Sequence, residues 1–470
     1  MALAGAQTFD AIVIGAGPAG EAFAGRLGTA GLDVALVEKG LVGGDCSYYA
    51  CMPSKALLRP AGLLGELGRV PGLDADTVRL DPDRVLARRD EVIGGLDDNG
   101  QLGWLDEKGI TLVRGEGRIE ARLQVRVGER LLTARRAVAV ATGSTAAMPP
   151  IPGLDTARPW TSREATTAPA VPDRLAVLGG GVVGVELGQA WHSLGAEVTI
   201  LEAGPRLIAR EEGFAGRLLA DRLSADGITV RTGAAATGVE RHDDGTVTVA
   251  VEGGGAVTAD EILVATGRRP RSGGIGLEAF GFEPGKPVPV NDRMQAGTDT
   301  DGDEPAWLYA LGDVNGRSLL THTGKYQARV AADNVLGRDR VVAGPALGAL
   351  APRVVFTDPQ VAAVGHTAAS ATEAGIAIDV VEHATDATPG ASFHGRDSGG
   401  ISRLVFSRDG GRLLGATFVG FETAEWLHAA TIAVTAGLDA RRLRDAVAAF
   451  PTRSEIWLRL EENYEAGKWV

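Results

Sequence analysis

One pattern of residue types occurs twice in this chain, at one spacing. The apolar run Phe9–Ile14 is followed at once by Gly15-Ala16-Gly17-Pro18-Ala19-Gly20, a helical pattern to about Ala30, and a second apolar run, Asp33–Val37, ending in Glu38. Farther on, Leu175–Leu178 leads into Gly179-Gly180-Gly181-Val182-Val183-Gly184, and Glu197–Leu201 ends in Glu202. First glycine to acid is 23 positions in both copies. Short apolar runs bounded by glycine read as buried strands, so each copy predicts strand, glycine turn, helix, strand, acid. Glycines in such a turn let backbone approach a pyrophosphate at a helix N-terminus, and the acid bonds ribose hydroxyls. A single glycine triplet is weak evidence. Two in register, each after a strand, predict that one chain binds two dinucleotides. The candidates are Gly15, Gly17, Gly20, Glu38 and the adjoining Lys39 for one, and Gly179, Gly181, Gly184 and Glu202 for the other.

Shorter echoes mark the domain boundaries. Ala137–Gly143 and Glu261–Gly267 are both apolar strands ending in Ala-Thr-Gly, which adds Thr142, Gly143 and Gly267 to the candidates. Pro149-Pro150-Ile151-Pro152-Gly153 and Arg269-Pro270-Arg271 follow them as turns or linkers, so the second module reads as an insert between the halves of the first. Leu308–Asp313, a strand ending in an acid, suits a return to the first module. From about Ala346 the pattern becomes short strands (Arg353–Phe356, Ile401–Phe406) and helices around Ala424–Ala436 and Ala440–Ala448. The expected fold is α/β, with two Rossmann-like three-layer domains, residues 1–150 with 271–345 and residues 151–270, and a separate α+β domain at 346–470.

Size and composition agree. A chain of 470 residues exceeds one ordinary core, and 44% hydrophobic with 23% charged residues is ordinary globular usage. The net charge of −13 argues against a nucleic-acid partner. No apolar run has the roughly 18 residues of a membrane helix, and Met1–Thr8 lacks the basic-then-apolar pattern of an export signal. Two cysteines in this length suit a reducing compartment, so the cytosol is expected.

Both cysteines lie in Gly43-Gly44-Asp45-Cys46-Ser47-Tyr48-Tyr49-Ala50-Cys51-Met52-Pro53-Ser54-Lys55. Five residues of ideal helix rise about 7.5 Å, whereas a disulfide needs its Cα atoms within about 4.4–6.8 Å. Bonded thiols here would require a distorted turn, which Gly43-Gly44 permits. Pro53 and Ser54 look like the opening of a helix through Leu58, placing Cys51 near a positive helix end that favours thiolate. Two unrelated buried cysteines would share this spacing; the flanking motifs decide.

With these motifs in this order, nearly the whole chain resembles the pyridine nucleotide–disulfide oxidoreductases, the family of lipoamide dehydrogenase, glutathione reductase and mercuric reductase. The resemblance also rests on Gly312-Asp313 and Phe356-Thr357-Asp358-Pro359. It implies FAD in the first module, NAD(H) or NADP(H) in the insert, a homodimer formed through the C-terminal domain, and a redox-active Cys46–Cys51 disulfide. By position, Cys51 is the flavin-side, charge-transfer thiol and Cys46 the interchange thiol. Lys55 pairs with Glu186 beside the flavin's reactive nitrogen. Asp313 binds the ribityl chain, and Gly44 and His322 belong to the cofactor site, His322 within Leu320-Thr321-His322-Thr323, the opening of a helix whose positive end stabilises reduced flavin. No metal site is implied. Glu202 favours NADH over NADPH by repelling a 2′-phosphate.

One departure matters. Thiol-reducing members carry His-Pro-Thr-x-x-Glu near the C-terminus, where the glutamate orients a histidine base. Here the segment is Phe450-Pro451-Thr452-Arg453-Ser454-Glu455, which keeps Glu455 and loses the base. General-base catalysis contributes typically ~10²–10⁴-fold. Mercuric reductases also lack that histidine but add a C-terminal cysteine pair, absent here, which disfavours mercury. The leading expectation is therefore electron transfer from NAD(P)H through flavin to a small quinone-like, metal or unusual disulfide acceptor. The alternatives are a lipoamide dehydrogenase-like or low-molecular-weight disulfide reductase with a substitute base, and a non-catalytic flavin/NAD redox sensor. Tyr48 and Tyr49, between the cysteines, either pack beside the sulfurs or shape a pocket for a flat acceptor.

Overall fold

In the computed structural model, residues 7–74, 77–297, 306–346, 348–395 and 399–470 are described. Most of the stretch read for an export signal, residues 1–6, lies outside them. The chain divides into two compact units, Met1–Pro53 with Asp90–Ala147 and Arg268–Gly348, and Ser54–Arg89 with Met148–Gly267 and Ala349–Val470.

In the first unit the apolar run becomes the strand Gln7–Ile14, central in the order Ile110–Arg114, Val34–Glu38, Gln7–Ile14, Arg130–Val140, Gln124–Val127, Gly117–Ala121. Its neighbours on both sides are parallel, Ala11 pairing with Val34 and with Ala137. Leu308–Ala310 adds a parallel strand beside Arg130–Val140. A strand buried on both faces needs apolar residues at every position. Ala11 and Val13 pack toward Phe23 and Leu27 of the helix Pro18–Thr29 and Ala328 and Ala331 of the helix Thr321–Val335. Ile12 and Ile14 pack on the opposite face with Val125 and Leu132.

In the second unit the repeat builds a four-stranded parallel sheet, Thr229–Thr232, Glu197–Glu202, Arg174–Leu178, Glu261–Val264. The C-terminal part is a five-stranded antiparallel sheet, Arg353–Val355, Gln360–Gly365, Leu413–Gly420, Ile401–Ser407, Ile378–Ala384. The helices Thr423–Ala436 and Ile456–Glu465 cover it through Leu427, Ala430, Ile456 and Leu460. The α/β architecture with two dinucleotide-type sheets and an α+β C-terminal domain is as expected. No described helix is long and apolar enough to cross a membrane.

Two helix boundaries differ from expectation. The helix expected from Pro53 begins at Cys51, because proline is tolerated in a first turn whose N–H groups have no intrahelical partner. The helix expected over 440–448 stops at Arg444. Asp439 caps its start by accepting from the Arg442 N–H at 2.9 Å, and beyond Arg444 the chain leaves the helix with Val447 exposed.

Glu461, buried on the helix Ile456–Glu465, has its carboxyl pushed up to about 7 by burial and by Glu465, against Arg444. The folded chain thus holds this proton more tightly than the unfolded one, so stability falls as pH rises from about 4.5 to about 7. Glu461→Gln should stabilise by on the order of 2 kcal/mol at pH 8 and leave urea midpoints nearly unchanged at pH 5. Equal gains at both pH values would contradict this assignment.

Candidate active site

The two glycine turns have the same construction. Gly15 has φ 104° and Gly179 φ 107°, backbone that favours glycine. A methyl group on Gly20 would strike the carbonyl oxygen of Gly15, and one on Gly184 that of Gly179. At Gly17 and Gly181, the residues preceding the two helices, an added methyl would meet nothing within 4 Å, and neither helix start is capped by a side chain. Glu38 accepts from the Ala16 N–H at 2.7 Å and the Gly40 N–H at 2.6 Å. Glu202 does the same with Gly180 and Gly204, both at 2.6 Å. These acids therefore clasp the glycine turns. Lys39 is exposed and pairs with Glu116 at 2.9 Å.

Around Asp313 the first unit gathers groups that sequence alone did not connect. Asp313 accepts from the Ser144 hydroxyl at 2.5 Å and lies 3.8 Å from Arg268. Arg268 and Arg271 reach Asp45 at 3.3 and 3.4 Å. Burial pushes the Asp313 carboxyl up, opposed by Ser144 and Arg268. Thr142 donates to the Arg271 carbonyl at 2.6 Å, and Gly143, at φ 72°, has open space beside it, as has Gly267 at φ 141°. His322 is exposed in the first turn of the helix Thr321–Val335.

The cysteine loop is broken as its spacing requires. Gly43 and Gly44 have φ 113° and 61°, the short helix Gly44–Tyr48 ends, and Cys51 opens the helix Cys51–Arg69. Gly44 is close to the first glycine turn, since a methyl group on it would meet the Gly17 Cα at 2.8 Å. Both cysteines are half-buried thiols. The Thr321 hydroxyl donates to Cys46 Sγ at 3.2 Å and lies 3.5 Å from Cys51 Sγ. A hydrogen bond with Cys51 and then burial push the Cys46 thiol up, while Thr321 and Lys325 act the other way. Tyr48 is buried, with its hydroxyl 3.5 Å from the Asp97 carbonyl, and Tyr49 is half-buried with its ring 6.3 Å away. Tyr48 thus packs into the fold rather than standing open to an acceptor.

In the second unit Lys55 Nζ lies 2.6 Å from Glu186 Oε2, and the other Glu186 oxygen accepts from the Phe356 N–H at 2.8 Å. The ammonium also sits 4.7 Å from the Phe356 ring centroid. The expected pair is therefore formed, with Glu186 buried and Lys55 half-exposed. Phe450 is 74% exposed. Glu455 is buried and accepts from the Gly390 N–H at 3.1 Å, so it keeps an acceptor role without a histidine to orient. Arg453, overlooked in the sequence, is buried with three guanidinium nitrogens that find no acceptor among the described residues. It lies against Trp426 and Phe421, and burial lowers it to about 10. Among the described residues no three His, Cys, Asp or Glu side chains gather to hold a metal.

The pyridine nucleotide–disulphide oxidoreductase profile matches residues 9–332, and the dimerisation-domain profile of the same group matches residues 351–460. The chain belongs to the pyridine nucleotide–disulphide oxidoreductases. A dihydrolipoyl dehydrogenase of Thermus scotoductus is 34% identical over 458 residues, 96% of each chain. A mercuric reductase of Staphylococcus aureus is 31% identical over 454 residues, 95% of this chain and 81% of that one. A Cu(II) complex of the HOCl-induced flavoprotein disulfide reductase RclA from Escherichia coli superposes with TM-score 0.84 at 26% identity, over 97% and 99% of the two chains. As a member of this family the chain is an FAD-dependent oxidoreductase that uses NAD(P)H. Its residues fit those cofactors, with two helix starts that no side chain caps and open space beside Gly17 and Gly181.

Replacing Lys55 with Met strands the buried Glu186 carboxylate. The cost lies between the ~0–1 kcal/mol of an exposed pair and the ~3–5 kcal/mol of a broken buried one, about 2 kcal/mol in urea unfolding. Lys55→Met with Glu186→Gln should recover most of it, since no charge is then stranded. A double variant no better than the single one would contradict the coupling.

Proposed function

We propose that this oxidoreductase passes electrons from NAD(P)H, through FAD and the Cys46–Cys51 pair, to an acceptor that requires no histidine proton shuttle. Such an acceptor is a quinone-like molecule or a metal ion, with an unusual disulfide the remaining member of the class. Phe450 carries the reading. A phenyl ring, 74% exposed, accepts no proton, and it stands where thiol-reducing relatives place their base. Quinones and metal ions take electrons without a leaving thiol that must be protonated. The relatives named mercuric reductase and the Cu(II)-bound relative favour a metal ion within this class.

In this reading residues 1–150 and 271–345 hold FAD through Gly15, Gly17, Gly20, Glu38, Lys39, Gly44, Thr142, Gly143, Asp313 and His322. Residues 151–270 hold the nicotinamide cofactor through Gly179, Gly181, Gly184, Glu202 and Gly267, and NADH is preferred because Glu202 repels a 2′-phosphate. Bound FAD supplies a two-electron carrier. The chain's own part is chemical positioning. Lys55, held by Glu186, supplies positive charge that favours hydride acceptance. Cys51 faces the flavin and Cys46 the acceptor. Residues 346–470 form a homodimer, and the protein works in the cytoplasm.

Steady-state turnover with NADH and a panel of quinones, Cu(II) and lipoamide tests this. Lipoamide turnover should fall at least ~100-fold below the best quinone or metal, the lower bound expected for a missing general base. Comparable lipoamide turnover would overturn the choice of acceptor. Cys46→Ser should abolish most turnover with the preferred acceptor, and undiminished activity would take the thiols out of the electron path.

A further inference from the structure

Thr321 is 270 residues or more from either cysteine in sequence, yet its hydroxyl touches both sulfurs, at 3.2 Å from Cys46 and 3.5 Å from Cys51. It opens the 15-residue helix Thr321–Val335, whose uncapped N-terminus carries partial positive charge. Its β-branched side chain has little rotamer freedom. The neighbouring Thr323 hydroxyl is committed elsewhere, donating to the Leu320 carbonyl at 2.7 Å. We propose that Thr321 is a catalytic hydroxyl of the dithiol site, donating its one O–H to whichever sulfur carries negative charge and accepting the S–H of the other.

This inference rests on the reading that the Cys46–Cys51 pair is the electron-carrying thiol site, and it goes beyond it by naming what holds the thiolate. A hydroxyl has one proton to donate and two lone pairs to accept with. With Cys46 as thiolate, Thr321 donates to Cys46 and Cys51 donates to Thr321; moving the shared proton between the sulfurs reverses both bonds. Threonine loses no proton in either arrangement. The hydroxyl is therefore not a base and does not replace the histidine missing at 450. It lowers the cost of keeping one sulfur ionised beside the other.

Neighbouring groups act on Cys46 in both directions. Lys325, on the Thr321 helix, also favours its thiolate, whereas Cys51 opposes it through their mutual hydrogen bond. On the cysteine's own short helix, Asp45 is engaged by Arg268 and Arg271, and Tyr48 points to the Asp97 carbonyl. Glu21 interacts with Lys325 and titrates at about 7, raised by burial, so a Glu21→Gln background removes its step from a pH profile.

Chemically reduced holoenzyme is alkylated with iodoacetamide across pH 5–10, in the Glu21→Gln background, and Cys46 modification is read by mass spectrometry. Thr321→Val, of nearly the same shape, should raise the Cys46 midpoint by about one pH unit and slow alkylation about tenfold at pH 7, the scale of a lost charge-assisted hydrogen bond. Thr321→Ser, which keeps the hydroxyl, should stay within about twofold of the parent by the same reasoning. Should Thr321→Val lose its flavin, Thr321→Ala gives the same comparison without added bulk. A midpoint in Thr321→Val or Thr321→Ala equal to the parent, or Thr321→Ser behaving like Thr321→Val, would overturn the proposal. No NADH is present, so failure of Thr321 is distinct from failure of the pair to be reduced by NADH.

Discussion

The constraint beneath both dinucleotide modules is a close approach of backbone to backbone. The helix that follows each first strand starts so near the strand's end that Gly20 has no room for a side chain beside the Gly15 carbonyl, nor Gly184 beside that of Gly179. This contact brings an uncapped helix N-terminus to the end of a parallel strand, and it leaves Gly17 and Gly181 facing open space. Unpaired N–H groups and the helix dipole make such a point an anion site. The acids at the second strand then close the turn from the other side, each with two short hydrogen bonds to backbone N–H groups.

The same physics decides what could be read from residue order. Strand, turn, helix and acid are local, within 23 positions, and the buried parallel strands announce themselves as unbroken apolar runs. Gly15, Gly20, Gly179 and Gly184 stand where that pattern put them, and Lys55 meets Glu186 as the family resemblance implied. Thr321 at the sulfurs, Ser144 and Arg268 at Asp313, and the buried Arg453 were not evident, because each depends on a contact far along the chain. A threonine opening a helix resembles any other cap. An arginine opening a short helical turn reads as a surface charge until Phe421 and Trp426 cover it. The helix that stops at Arg444, short of the favourable residues up to Ala448, shows the reverse case, in which local propensity does not extend an element.

The sulfur site is arranged around one difficulty, that two neighbouring thiols resist ionisation. Cys51 and burial hold the Cys46 proton on, while a hydroxyl, an ammonium and a helix N-terminus favour its loss. A histidine base would ordinarily relieve that tension by carrying the proton away. At position 450 this chain has an exposed phenyl ring instead, and Glu455 spends its carboxylate on the Gly390 N–H. On the proposed electron path, releasing a protonated thiol product is the step left without help.

The central claim is that reducing equivalents from the nicotinamide cofactor arrive at Cys46 and Cys51. Oxidised holoenzyme mixed anaerobically with one equivalent of NADH, quenched and alkylated, tests it most directly. The account predicts two newly alkylated cysteines per chain, with NADH fully consumed. Complete bleaching of the flavin with neither sulfur labelled would contradict it.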